Sequence, residues 1–314
     1  MGAGEPLHPG RLMVGSRTIA WSQYGDPDGV PAFYFHGVPG SRTEAALLGP
    51  AAHRAGVRII SLDRPGMGRS PHREERTVAD WPQTVAECAD QLGLGRFALL
   101  GWSGGGPYVV ACLAAWPGRI TAAALVAPAA LVTESPRTDA SDHGGVRLTA
   151  RELWWRRILL PVVTWVARLP GLDRAAGAAV SLVHPLMRQI PALRHQVPTP
   201  GVVRTLARAW QHAVAPGPQG WAHDDKLLAT DWSPSLDRAA AALRRAESAG
   251  TDRAGRPQVQ VWHGTRDRTV AVESGRSLAH RLGVPLVEDT EAGHLGILLR
   301  HTSEIVSFLA QAGR

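Results

Sequence analysis

The chain has 314 residues, 44% of them hydrophobic, which is enough apolar material for the core of one large domain, and a formal net charge of +7. That charge raises a nucleic acid or an acidic membrane as partner, but Lys226 is the only lysine and the arginines stand singly or in pairs, with no basic run to grip a polyanion. Cys88 and Cys112 lie in apolar helical patterns without metal-site spacing, and no stretch reaches the ~18 uninterrupted apolar residues of a membrane span or forms the core of a signal peptide.

Buried free thiols and a cytoplasmic protein are therefore expected. Short strand patterns then alternate with helical ones, which predicts a mostly parallel sheet covered on both faces. Residues 11–25 read as a β-hairpin, 31–37 and 57–63 as strands, and 41–56 between them as a helix. Asp80 is placed to cap a helix that carries Trp81, Val85, Cys88 and Leu92 on one stripe, with Pro82 in its first turn. A strand at 96–102 ends in the run Gly101-Trp102-Ser103-Gly104-Gly105-Gly106, and the segment after it, 107–116, is apolar enough to predict a helix buried beneath the sheet.

After a strand at 120–128 the alternation stops. From 131 to 237 prolines interrupt short helical pieces, and six of the eleven tryptophans (Trp154, Trp155, Trp165, Trp210, Trp221 and Trp232) fall in this span. It reads as an inserted helical cap, between core segments 1–130 and 238–314. Alternation returns with a helix at 236–250, a strand at 257–264, a helix at 271–283, a strand at 284–290 and a last helix containing Ile305, Phe308 and Leu309.

A serine flanked by glycine two residues before and two after, between a strand and a buried helix, suits a turn too tight for a Cβ on either side. Such a turn lifts the hydroxyl of Ser103 above the sheet as a candidate nucleophile. The glycines fit neither a P-loop, whose Lys-Ser/Thr pair is missing, nor G-x-G-x-x-G. A serine hydroxyl needs a base, and the base needs a partner to fix its tautomer. Asp267 stands just beyond the strand 257–264, and His294 follows it by 27 residues on a glycine-flanked loop, Gly293-His294-Leu295-Gly296. Glu134 is a second candidate acid. The oxyanion of an acyl-transfer intermediate needs two backbone N–H donors. Gly104, next to the serine, is expected to supply one and Val38, in the loop His36-Gly37-Val38-Pro39-Gly40, the other. Trp102 and His36 are candidates for substrate contact.

The segments FYFHGVPGSR, SLDRPGMGRS, LLGWSGGGPYVVAC, WHGTRDRTV and EAGHLGI, in this order, resemble the signature segments of the α/β-hydrolase superfamily in its cap-bearing, esterase-like branch. The resemblance spans about residues 18–310, the cap being the part without specific motifs. It implies an α/β-hydrolase fold with an inserted cap, a triad of Ser103, Asp267 and His294, and oxyanion donors Val38 and Gly104. It also implies that DRPGMGRS is a structural turn, so that Asp63 and Arg64 are not catalytic. Serine rather than aspartate at the elbow argues against haloalkane dehalogenase and epoxide hydrolase activity. The loop HGVPG departs from the HGGPG of proline iminopeptidases.

The expected function is hydrolysis of an ester or thioester of a mainly apolar small molecule, without cofactor or metal, without nucleic acid or membrane, and with a homodimer left open. The same fold also serves carbon–carbon bond hydrolysis, perhydrolysis and lyase or cyclase steps, and a ligand-binding module without chemistry is the reading from another class.

Overall fold

The computed structural model describes residues 8–129, 169–189, 198–248 and 256–312. Eight strands form one sheet: β1 (His8–Val14), β2 (Arg17–Gly25), β3 (Val30–Phe35), β4 (Val57–Leu62), β5 (Phe97–Trp102), β6 (Ile120–Val126), β7 (Gln258–Gly264) and β8 (Leu286–Asp289). Their spatial order is β1-β2-β4-β3-β5-β6-β7-β8. β1 and β2 pair as the expected hairpin, β2 runs antiparallel to β4, and β3 to β8 are parallel. This is the α/β hydrolase fold.

The helices are α1 (Gly49–Ala55), α2 (Trp81–Gln91), α3 (Gly106–Ala115), α4 (Leu172–Gln189), α5 (Pro200–Val214), α6 (Gln219–Leu228), α7 (Ser233–Ser248), α8 (Val272–Leu282), α9 (His294–Arg300) and α10 (Thr302–Ala312). The central strands read as continuous apolar runs because both faces of the sheet are covered. Along β3 the pleat sends Phe33 and Phe35 into the core layer beneath α2, α3, α7 and α8, while Ala32 and Tyr34 face the layer beneath α1, α9 and α10. Cys88 and Cys112 are buried and unpaired, and burial pushes the Cys88 thiol up to about 12. No described helix is long and apolar enough to cross a membrane.

Three local expectations are corrected. The helix expected over 41–56 is a 3₁₀ segment, Arg42–Leu47, followed by α1, because Leu48 ends the first and Pro50 restarts the second. Asp80 stands at the N-cap of α2, but its side chain makes no capping hydrogen bond to the helix. Its carboxylate turns back to accept from Thr77 N (2.7 Å) and Thr77 Oγ1 (3.0 Å) in a one-turn 3₁₀ segment ahead of the helix. His294 is the first residue of α9 rather than a loop residue.

The insert between β6 and β7 supplies α4, α5 and α6, while residues 130–168 and 190–197 of it, with Glu134, Trp154, Trp155 and Trp165, lie outside the described residues. α7 straddles the boundary expected at residue 237, and Trp232, just ahead of it, joins Leu236 and Ala239 in the main core.

Phe33 is fully buried at the centre of the sheet and meets Phe97 edge to face at 5.0 Å. Phe33→Ala is expected to lower unfolding stability by about 3–5 kcal/mol, measured by urea denaturation.

Candidate active site

All parallel strands point their carboxyl ends to one edge of the sheet, where α/β folds hold their ligands. At the end of β5, Ser103 adopts the left-handed conformation (φ 54°), which only a tightly constrained turn imposes on a residue with a Cβ. The constraint is close packing. A Cβ on Gly105 would sit 2.1 Å from the Phe35 carbonyl oxygen, and one on Gly101 would sit 2.7 Å from both Gly105 O and Val109 Cγ2. The Ser103 carbonyl accepts from Ala129 N at 3.0 Å, which ties the turn to the end of β6. The turn then enters α3, whose residues from Gly106 to Leu113 are buried.

The end of β7 carries Asp267 and the segment after β8 carries His294. The structure brings them together, with His294 Nδ1 2.7 Å from Asp267 Oδ2. The other carboxylate oxygen accepts from Thr269 N (2.8 Å) and Val270 N (2.9 Å). Burial opposes ionisation of Asp267, but the hydrogen bonds from His263, His294 and Val270 outweigh it and hold the carboxyl well below the usual range. Nδ1–H of His294 therefore donates to a permanent carboxylate, and Nε2 is left as the basic nitrogen.

Trp102 supports this histidine. Its ring centroid lies 5.5 Å from that of His294, and its indole N–H donates to the His294 carbonyl at 3.2 Å. Trp102 was expected to touch substrate; its single donor is engaged by the His294 backbone. Trp102 immediately precedes Ser103.

The two expected oxyanion residues are neighbours in space: a Cβ on Gly104 would meet Val38 Cγ2 at 2.6 Å and Leu228 Cδ1, from the end of α6, at 3.0 Å. His36, the other residue expected to contact substrate, is fully buried. Its Nδ1–H donates to Gly37 O at 2.9 Å and its Nε2 accepts from Arg64 N at 3.4 Å. Burial and the Arg64 charge hold it well below the usual imidazole range, so it is a neutral brace of the loop. Asp63, expected to be structural, is buried, paired with Arg42, and accepts from Arg42 N (2.7 Å) and Arg69 N (2.9 Å).

Three residues of this neighbourhood escaped sequence reasoning. His263, buried at the end of β7, donates from Nε2 to Val270 O at 3.0 Å and lies 3.3 Å from Asp267 Oδ2, four residues on; that spacing in WHGTRD was its only signal. Glu44 accepts from Tyr34 Oη (2.6 Å) and from Gly37 N (2.8 Å), bracing the loop from below. Asp224, in α6, is fully buried between Arg64 and Arg76. Nothing in its local sequence marked it.

The sequence model of the α/β hydrolase fold family matches residues 33–300. A proline iminopeptidase of Neisseria gonorrhoeae is 29% identical over 162 residues, covering 50% of this chain and 51% of that protein. The chain thus spans about half the length of the curated relatives it matches. Among solved structures, an enol-lactonase from Burkholderia xenovorans LB400 aligns at TM-score 0.62 and 20% identity over 96% of this chain and 99% of that one. An esterase from Exiguobacterium antarcticum aligns at TM-score 0.64 and 16% identity over 98% and 99%. Both structures share the fold.

Glu44 generates a pH prediction. Burial pushes its carboxyl up to about 7, against the pull of the Tyr34 and Gly37 hydrogen bonds. The folded state keeps a proton that the unfolded chain releases, so this group's contribution to stability is full below the unfolded value of 4.5 and is lost as pH rises through about 7. Between about pH 5 and about pH 8 the Tm of the protein is expected to fall more than that of Glu44→Gln, which has no proton to lose. Parallel Tm profiles for the two proteins would refute it.

Proposed function

Because the chain belongs to the α/β hydrolase fold family, we propose that it is a serine hydrolase that cleaves an ester or thioester of a mainly apolar small molecule. One observation carries this reading: His294 Nδ1 lies 2.7 Å from an ionised Asp267, with the His294 ring against Trp102, the residue that precedes the strained Ser103. In the proposed reaction Ser103 Oγ attacks the substrate carbonyl, and Nε2 of His294 takes its proton. The tetrahedral oxyanion is received by the N–H groups of Val38 and Gly104. His294 then returns the proton to the departing alcohol or thiol, and water repeats the sequence on the acyl-enzyme. Asp267 keeps its charge throughout and stabilises the imidazolium.

The insert 131–237 serves as the cap in this reading, and Leu228 and Val38 give the site apolar walls beside Gly104. Charge in the span is dilute: eleven arginines and one lysine (+12) against nine acidic residues (−9) leave +3 over 107 residues. Likeness to an enol-lactonase and an esterase agrees with acyl transfer to water.

The relatives named proline iminopeptidase favour a second reading, in which the same serine attacks a prolyl amide. That substrate presents a cationic terminus. Asp224, the buried acid of α6, is already engaged by two arginines and so is not free to receive it. The loop also reads HGVPG where that group has HGGPG.

A fluorophosphonate probe is expected to label the protein at Ser103, and Ser103→Ala to lose ester hydrolysis by roughly 10⁴-fold or more with Tm unchanged. An unlabelled wild-type protein, or a Ser103→Ala variant of near-normal activity, would overturn the reading. Turnover of prolyl p-nitroanilide ahead of p-nitrophenyl esters would favour the peptidase.

Chain length tests the apolar pocket. Each buried methylene is worth about 0.8 kcal/mol, partly offset by ordering the acyl chain. Passing from an acetyl to a hexanoyl ester is therefore expected to raise kcat/KM by about tenfold or more, and a flat or falling series would indicate a small or polar pocket.

A further inference from the structure

Arg64 is fully buried, and its guanidinium joins two parts of the chain that the reaction needs together. Nε donates to Asp224 Oδ2 at 2.7 Å. NH1 donates to His36 O at 2.6 Å and NH2 to Gly37 O at 2.9 Å. The last contact bears on chemistry through peptide planarity. Gly37 O and the N–H of Val38 belong to one rigid peptide unit, so fixing the oxygen on one edge aims the N–H on the opposite edge. Two donors, Arg64 NH2 and His36 Nδ1, converge on that oxygen, and Glu44 holds the N–H of the preceding peptide at Gly37.

The direction of the guanidinium is set in turn by Asp224. The guanidinium is planar, so pairing its Nε edge with a carboxylate fixes where NH1 and NH2 point. Asp224 itself has little freedom, because its Oδ1 accepts from Arg76 NH2 and from Tyr108 Oη at 3.1 Å. The Tyr108 ring, on the helix that follows Ser103, lies 4.9 Å from Arg64 Cζ. α6 is held against the turn after β4 that carries Arg64, closely enough that a Cβ on Gly220 would lie 2.1 Å from Gly66 O, so the two backbones touch only because both residues are glycine.

We propose that Asp224, a residue of the insert, is a positioning residue for catalysis: acting through Arg64, it aims the Val38 N–H at the oxyanion. This rests on the serine-hydrolase reading of the Ser103 site and adds to it a part of the insert that touches no substrate. The insert then does more than cover the pocket. Seating α6 completes the oxyanion donor.

Two variants separate aim from mere stability. Arg64→Lys keeps a cation beside Asp224 but replaces the planar fork with a single ammonium, which cannot hold both carbonyls in a fixed plane. Asp224→Asn keeps the shape and removes the anion. Active sites are counted in the soluble protein with the fluorophosphonate probe, so that loss of folded protein does not enter kcat. Hydrolysis of p-nitrophenyl acetate and inhibition by phenylboronic acid, a tetrahedral mimic, are then measured per site.

The expected result is a kcat lower by about tenfold or more, KM within about twofold, and an affinity for the boronic acid weakened in parallel with kcat. Normal kcat and boronic-acid affinity per site in Arg64→Lys would overturn the proposal, as would a loss confined to KM. If Asp224→Asn yields no soluble protein, Arg64→Lys decides alone. A wild-type protein that the probe does not label would fail the serine-hydrolase reading itself, whereas a labelled wild type with unaffected variants fails only this inference.

Discussion

Two arginines and one aspartate, Arg64, Arg76 and Asp224, lie almost wholly out of water where three segments of the chain meet. Removing an ion from water costs several kcal/mol, and such a cluster is tolerated only when its members neutralise one another and engage nearly all of their polar atoms. Arg64 meets this condition with all three nitrogens, and Asp224 with both oxygens. Burial works against ionised Asp224, yet the two guanidinium groups bring its carboxyl down to about 2, so its charge is constant across the working range. Any arrangement that withdraws α6 from the core strands two buried cations. The cluster therefore fixes where α6 sits.

The cluster carries one more positive than negative charge and stands behind the carbonyl oxygens of His36 and Gly37. The peptide dipoles of the loop align with it, oxygen toward the guanidinium and N–H away. In the proposed reaction the developing oxyanion then meets donors already oriented for it, with no reorganisation at the moment of charge formation. The left-handed Ser103 depends on the same neighbourhood, because its turn is pressed against the end of β3, the strand that leads into this loop. The strain at Ser103 and the burial of Arg64 are supported by one packing arrangement.

On the other side of the site a second buried imidazole backs the acid. His263 holds Val270 O and approaches Asp267, while its Nδ1 has no partner among the described residues and lies against Gly275 of α8, where a Cβ would come within 2.5 Å. Asp267 thus sits between two histidines. Only His294, from the segment after β8, remains partly exposed, which suits it to the role of base in the proposed reaction.

The three residues that the proposed reaction uses stand out in the sequence because each is marked by its immediate neighbours. Ser103 is framed by glycines, Asp267 follows a strand in a turn, and His294 is flanked by Gly293 and Gly296, so strand–turn–helix periodicity and chain order were enough to make them candidates. The alternating apolar pattern likewise established the sheet and the buried α3. What supports them was not legible. Asp224 looks like an exposed acid in a polar stretch, Glu44 like the charged face of a helix, and His36 like a residue open to substrate. Each has its character changed by a partner far away in sequence: Asp224 by Arg64, 160 residues earlier, and by Arg76, 148 residues earlier; His36 by Arg64; Glu44 by Tyr34 and the Gly37 peptide. Local sequence encodes backbone preference and burial pattern. Which charges meet inside the fold, and so which peptide N–H groups are held in aim, is decided only when the sheet and the insert close upon each other.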